Sequence, residues 1–153
     1  MLIEGKCHCG NLSFRMETQL STKDLVPREC DCSFCRAHGA KCLSDPSGSA
    51  TIYVADASLL RRYRFGLQTA DFLVCGRCGV YLGAAIISGG ECRVTLNLRA
   101  TEFHDRPATV VSYEGETVRD RVARRMEKWT PAKIVIGGAP NQSLQSGAAS
   151  PRR

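Results

Sequence analysis

Three cysteine clusters constrain this chain more than any other feature: C-H-C-G at Cys7 to Gly10, C-D-C-S-F-C at Cys30 to Cys35, and C-G-R-C-G at Cys75 to Gly79. The third reads as a zinc knuckle. Two residues between its thiols let both sulfurs face one ion, and the glycine after the second lets the backbone turn back toward them. Two sulfurs leave a tetrahedral zinc half-coordinated. The first cluster supplies two more and also ends in glycine. Cys7, Cys9, Cys75 and Cys78 are therefore expected to form a closed four-cysteine site, joining the first strand to a hairpin far along the chain. One ion closing a long loop is what a structural zinc does.

The middle cluster has no such partner. Cys30, Cys32 and Cys35 can all reach one ion, which leaves its fourth position for water or substrate, as in catalytic zinc sites. A soft thiol suits that position, because zinc lowers the thiol pKa and holds the thiolate. A competing reading closes the cluster with Cys42 or His38 as a second structural zinc. A redox pair of Cys32 and Cys35 is a weaker reading, since no βαβ unit frames them.

Composition bounds the rest. A chain of 153 residues, 43% hydrophobic and 24% charged, is one globular domain that can bury a core without disulfides. The opening MLIEGKCHCG has no apolar run and reads as no signal peptide. No stretch approaches the roughly 20 apolar residues of a membrane-spanning helix. A reducing cytoplasm is expected, where nine cysteines point to metal rather than to disulfides. The net charge of +6 is local: residues 119–153 carry 8 of the basic side chains and 2 of the acidic ones, while the remainder balances. Seven thiolates on two zinc ions would lower the net charge to about +3.

β signals run to about residue 113. Leu12 to Glu17 alternates apolar and polar residues, and Ala50 to Ala55 is β-branched after the turn of Asp45 to Ser49. Tyr63 and Phe65 alternate with arginines. Val80 to Ile87 and Glu91 to Arg99 flank Ser88-Gly89-Gly90 as a hairpin, and Thr109 to Tyr113 reads as one more strand. The period then changes. Thr117 to Asp120 resembles a capping box, and Val118, Val122, Met126 and Trp129 follow at helical spacing up to Thr130-Pro131. Arg121, Arg124, Arg125 and Lys128 are expected on the opposite, basic face. The predicted organisation is a zinc-binding β domain over 1–115, the basic helix over 116–138 packed on it or appended to it, and a polar, disordered tail over 139–153.

The order G-x-C-H-C-G, C-x-C-S-x-C-R-x-x-G-A, C-x-x-C-G, carried by Gly5 to Gly10, Cys30 to Ala40 and Cys75 to Gly79, resembles the glutathione-dependent formaldehyde-activating enzyme family, which includes centromere protein V. Asn97 to Arg99, N-L-R, resembles a small branch of it. The likeness spans roughly residues 3–100. It implies a mainly β, zinc-binding β-tent fold, here with a short C-terminal amphipathic helix. It implies two zinc ions per chain: a structural one on Cys7, Cys9, Cys75 and Cys78, and a catalytic one on Cys30, Cys32 and Cys35. The activity it implies is carbon–sulfur lyase chemistry, the condensation of formaldehyde with glutathione to S-hydroxymethylglutathione or its reverse. The expected partners are a small-molecule thiol and an aldehyde.

Other residues read more plainly. Cys42 and Cys92 fit a core, His8 and His104 a surface, and Asn97 and Arg99 share a strand face with Thr95 and Arg93 that is expected to meet water. Arg36 and His38 follow the open cluster and are candidates for meeting an anionic thiol such as glutathione. The alternative function is a zinc-stabilised binding module working through the basic helix. A balanced body and 7% aromatic content argue against nucleic acid as its partner. Nothing in the sequence fixes the oligomeric state.

Overall fold

The structure, a computed structural model, describes residues 1–140, so the expected tail beyond Pro140 lies outside the described residues. Eleven strands and two α-helices follow one another as β1 (Leu2–Lys6), β2 (Leu12–Glu17), β3 (Arg28–Cys30), α1 (Ser33–Ala37), β4 (Cys42–Leu43), β5 (Ser49–Val54), β6 (Leu60–Tyr63), β7 (Asp71–Cys75), β8 (Tyr81–Ser88), β9 (Glu91–Asn97), β10 (Thr109–Val111), α2 (Val118–Lys128) and β11 (Thr130–Ile136). The fold is mainly β, as expected.

Strand β2 alternates buried and half-buried residues, and pairs antiparallel with β1 on one side and β5 on the other. Strands β6, β7, β8 and β9 form an antiparallel meander. The two sheets meet in β11. Its first residues, Thr130 and Pro131, pair antiparallel with β9, and Ala132 to Ile136 pair parallel with β5. This shared strand joins all the strands into one mainly β layout. β4, β3 and β10 continue from the far end of β9.

One core lies among β1, β2, β5 and the inner faces of β7, β8 and β9, built on Ile3, Leu12, Phe14, Met16, Ile52, Leu73, Leu82 and Leu96. A second contains Cys35, Cys42, Phe72, Tyr81, Ala84, Ile86 and Trp129. Strand β8 contributes to both, Leu82 and Ala85 to one and Tyr81, Ala84 and Ile86 to the other. Burial on both faces explains why it reads as an unbroken apolar run. The hairpin after it turns through Gly89 and Gly90, with φ of 59° and 79°, conformations that glycine adopts without strain.

The C-terminal segment differs from the sequence expectation. Helix α2 starts as predicted: the Thr117 hydroxyl accepts the backbone N–H of Asp120 at 3.1 Å. It ends at the extended Trp129, two residues before Pro131. The residues that follow form β11, a strand between β5 and β9 that the sequence reading did not anticipate. The face expected to meet water on β9 is covered at its middle, while Arg93 is half-buried and Arg99 exposed. Thr95 and Asn97 are buried, the Thr95 hydroxyl donating to the Leu43 carbonyl and the Asn97 amide to the Tyr81 carbonyl.

No helix of the described residues is long and apolar enough to cross a membrane.

Candidate metal centres and the cavity beside them

The first site is built from two turns of the same design. Cys7 leaves β1, its N–H bonds the Leu12 carbonyl, and the Gly10 N–H bonds the Cys7 carbonyl. Cys75 ends β7, its N–H bonds the Val80 carbonyl, and the Gly79 N–H bonds the Cys75 carbonyl. Gly10 and Gly79 hold φ of 82° and 75°, so each turn needs a residue free to enter the left-handed region. The turns bring four sulfurs together within 4.8 Å of one another. Cys7 Sγ lies 3.7 Å from Cys9 Sγ, and Cys9 Sγ 3.5 Å from Cys75 Sγ. Four sulfurs about 2.3 Å from a tetrahedral zinc sit about 3.8 Å apart. The spacing therefore fits the ion.

The electrostatics fit it as well. Burial pushes the Cys7 thiol up to about 12, against a hydrogen bond from the Leu12 N–H. Burial also pushes on Cys78, but the backbone of Cys9 and Val80 and the neighbouring thiols bring it down to about 6. Four crowded thiols cannot all ionise unaided. A dication among them removes that conflict. His8 points into solvent between two of the cysteines, as expected.

The second cluster is local. Strand β3, paired with β10 and β4, ends at Cys30. The Asp31 N–H bonds the Val111 carbonyl, and Cys32 caps α1, its Sγ accepting the Cys35 N–H at 3.4 Å. The sulfurs of Cys30, Cys32 and Cys35 lie within 4.8 Å of one another. A hydrogen bond from Cys35 draws the Cys30 thiol down to about 6, while that bond and burial drive Cys35 far up. A divalent cation would let all three ionise, so this donor set also suits zinc.

Among the described residues, neither Cys42 nor His38 joins this group. Cys42 is buried with its Sγ 3.9 Å from the Tyr81 hydroxyl, and burial raises its thiol to about 11. His38 is exposed, its ring 4.4 Å from that of Phe34. Arg36 is exposed too. Cys92 is half-buried against the main core.

Cys30, Cys32 and Cys35 open onto a cavity of about 380 Å³. Phe65, Phe72, Tyr81, Ala84 and Trp129 give it apolar walls. Its basic lining is Arg28, Arg121, Arg124 and Arg125; Arg36 and His38 do not reach it. The expected basic face of α2 is thus turned largely inward. Arg125 is buried, whereas Val118, placed by the sequence on the apolar stripe, is 52% exposed. Glu116 holds two of these arginines: Arg121 Nε donates to it at 2.9 Å and Arg124 Nε at 2.6 Å. The Arg124 bond, helped by that from Arg121, brings the Glu116 carboxyl down to about 2. Burial, with Arg124 and Arg121 nearby, lowers Arg125 to about 10.

The sequence reading missed this wall. Its signals were Arg125 at three residues from Val122 and four from Trp129, and Glu116 set just ahead of the arginines.

No family model matches the chain, and a comparison with curated proteins yields no match. A crystal structure of a Rhodobacter sphaeroides protein, a structural-genomics target, is similar in fold, with a TM-score of 0.51 and 29% identity over 71% of this chain and 99% of that one. The mainly β architecture with its two metal-competent cysteine clusters is therefore the firm description of this molecule.

Proposed function

We propose that the chain is a zinc-dependent enzyme of the carbon–sulfur lyase type, acting on a thiol–aldehyde adduct such as S-hydroxymethylglutathione, in the manner of the glutathione-dependent formaldehyde-activating family. The observation that carries this reading is the contrast between the clusters. Four cysteine sulfurs gather at the first cluster, enough for a full zinc tetrahedron, while only three gather at the second, beside a cavity from which a fourth ligand could come.

Zinc held by Cys30, Cys32 and Cys35 would supply the positive charge that favours a thiol in its ionised form at neutral pH. The remaining work belongs to the chain. Phe65, Phe72 and Trp129 give the cavity apolar walls against which a bound adduct can displace water from the reacting atoms. Tyr81 lines the cavity, its hydroxyl kept protonated by burial and 3.9 Å from Cys42 Sγ, and would serve an aldehyde oxygen as a neutral donor on turning from that sulfur. In the forward direction the thiol sulfur adds to the carbonyl carbon and forms one C–S bond. The oxygen takes up the proton that the thiol gives up. In reverse, the same bond breaks and thiol and aldehyde separate.

The test is a glutathione titration of cobalt-substituted protein, read in the visible and sulfur-to-metal charge-transfer bands. The bands of one of two sites are expected to shift, Cys32→Ser is expected to remove the response and turnover, and the fold is expected to persist. Two saturated thiolate sites that ignore glutathione would sink the proposal.

A further inference from the structure

Arg125, on the cavity wall, has no counter-charge in contact with it, although Glu116 and the cysteine cluster carry negative charge around the same cavity. Arg125 is 8% exposed and donates Nη1 to the Thr69 hydroxyl at 2.5 Å, its guanidinium lying 4.9 Å from the Trp129 ring centre. Its Nε is buried with no hydrogen-bond partner. Among the described residues, no carboxylate lies within 4.0 Å of it. Arg121 and Arg124 share the single carboxylate of Glu116. Arg28 donates to the Ser44 hydroxyl and has no acidic partner among the described residues. Asp31 and Glu114 also line the cavity, but both are exposed, where water screens them.

A buried cation with no counter-charge costs the fold several kcal/mol unless something neutralises it. Placing it beside two more guanidiniums adds repulsion. A water-filled cavity lessens that cost, and an anion entering it removes more. The remaining wall says what else such an anion carries. Phe65, Phe72, Tyr81, Ala84 and Trp129 line the cavity, an apolar wall against which the body of such an anion can lie.

We infer that this cavity binds an apolar carboxylate, an aryl or branched-alkyl acid whose carboxylate meets Arg125 and its neighbours on α2 while its apolar body lies against Phe72, Tyr81 and Trp129. The inference concerns the same cavity as the proposed lyase reading but does not depend on it, since it rests on the guanidinium wall and not on the metal. It names a ligand class different from a hydrophilic thiol such as glutathione. A planar carboxylate also suits the fork of a guanidinium.

Trp129 is the sole tryptophan of the chain and forms part of this wall, so fluorescence excited at its red edge reports the site directly. The full-length, zinc-loaded protein is titrated with phenylacetate, with its neutral isostere phenylacetamide, with inorganic phosphate and with glutathione. Phenylacetate is expected to give a saturable change, and phenylacetamide to bind about ten-fold or more weakly, the loss of a charge-assisted hydrogen bond. Arg125→Met is expected to abolish the phenylacetate response and Arg125→Lys to weaken it. Where Arg125→Met does not fold, the acid–amide comparison on the unmodified protein decides. Equal binding of acid and amide, or an unchanged response in folded Arg125→Met, overturns the inference. So does saturation by phosphate or glutathione without any by phenylacetate. The acid–amide comparison reads the guanidinium wall and the cobalt bands read the metal, so failure of one reading does not entail failure of the other.

Discussion

The two cysteine clusters differ most in the length of chain they close, and that difference sets an energy. Cys9 and Cys75 lie 66 residues apart. An unfolded chain must close that loop before it can offer four thiolates, so an ion prefers the folded state by at least the closure cost, about 4 kcal/mol by the cross-link relation. The middle cluster spans only Cys30 to Cys35, and the logarithmic dependence on loop length makes its advantage about 2 kcal/mol smaller. Cys9→Ser and Cys32→Ser isolate the effect. Cys9 is exposed, so the substitution removes a ligand without placing a hydroxyl in the core. Serine at position 32 can still cap α1. At about 2–4 °C per kcal/mol for a domain of this size, Cys9→Ser is expected to lower Tm by about 8–16 °C. Cys32→Ser should lower it by less, the gap being about 4–8 °C. Thermal scans by circular dichroism, with bound zinc quantified in each sample, read both. A chelator strong enough to strip the protein should reproduce the Cys9→Ser shift. Equal shifts for the two variants, or a larger one for Cys32→Ser, would refute the loop argument.

Two further outcomes follow from contacts away from the sulfurs. Glu116→Gln removes the carboxylate that binds Arg121 and Arg124, and should cost about 1–2 kcal/mol at pH 7 after allowance for solvent screening. Because the Glu116 carboxyl is depressed from 4.5 to about 2, that stabilisation is fully present above pH 4.5 and lost as pH falls toward 2. Urea denaturation of both proteins across that range checks the sign, and a difference that grows on acidification would contradict it. Gly83→Ala places a Cβ 2.5 Å from the Thr95 carbonyl oxygen and 3.2 Å from the Leu96 Cα. Both are backbone atoms of β9 that cannot swing aside, so destabilisation of about 1–3 kcal/mol is expected in the same assay. A neutral result would show that β8 and β9 can separate there.

The sequence revealed what its local periods encode. Leu12 to Glu17 alternates because one face is packed, and the Ser88-Gly89-Gly90 turn is where the β8–β9 hairpin reverses. The grouping of the cysteines was legible for a similar reason: each knuckle is a local turn, and the sulfurs of two such turns gather within 4.8 Å of one another. What escaped was set by tertiary partners. Strand β11 contains Pro131 and follows a helix directly, which masked the β-branched run Ile134-Val135-Ile136; its place is set by β5 and β9 on either side. Arg125 was assigned to the solvent side on its charge, although its spacing from Val122 and Trp129 puts it on the buried side of α2. The spacing was the better guide, because a cavity behind the helix can accept a guanidinium.

That correction changes how the C-terminal segment should be tested. Helix α2 is held at both ends by the fold. At its start Arg121 donates to the Tyr113 carbonyl and Arg124 lies over the Tyr113 ring, 3.6 Å from its centre. At its end the fully buried Thr130 hydroxyl accepts the Asp45 N–H at 2.8 Å, and β11 enters both sheets. The positions of Arg121, Arg124 and Arg125 are therefore fixed by β10 before them and β11 after them. Deleting residues 117 onward would remove a wall of the cavity and the strand that joins the sheets, so loss of any activity in such a truncation would report a damaged fold. Substitutions confined to α2 side chains keep β11 in place. They can separate what the arginines bind from what the C-terminal strand supports.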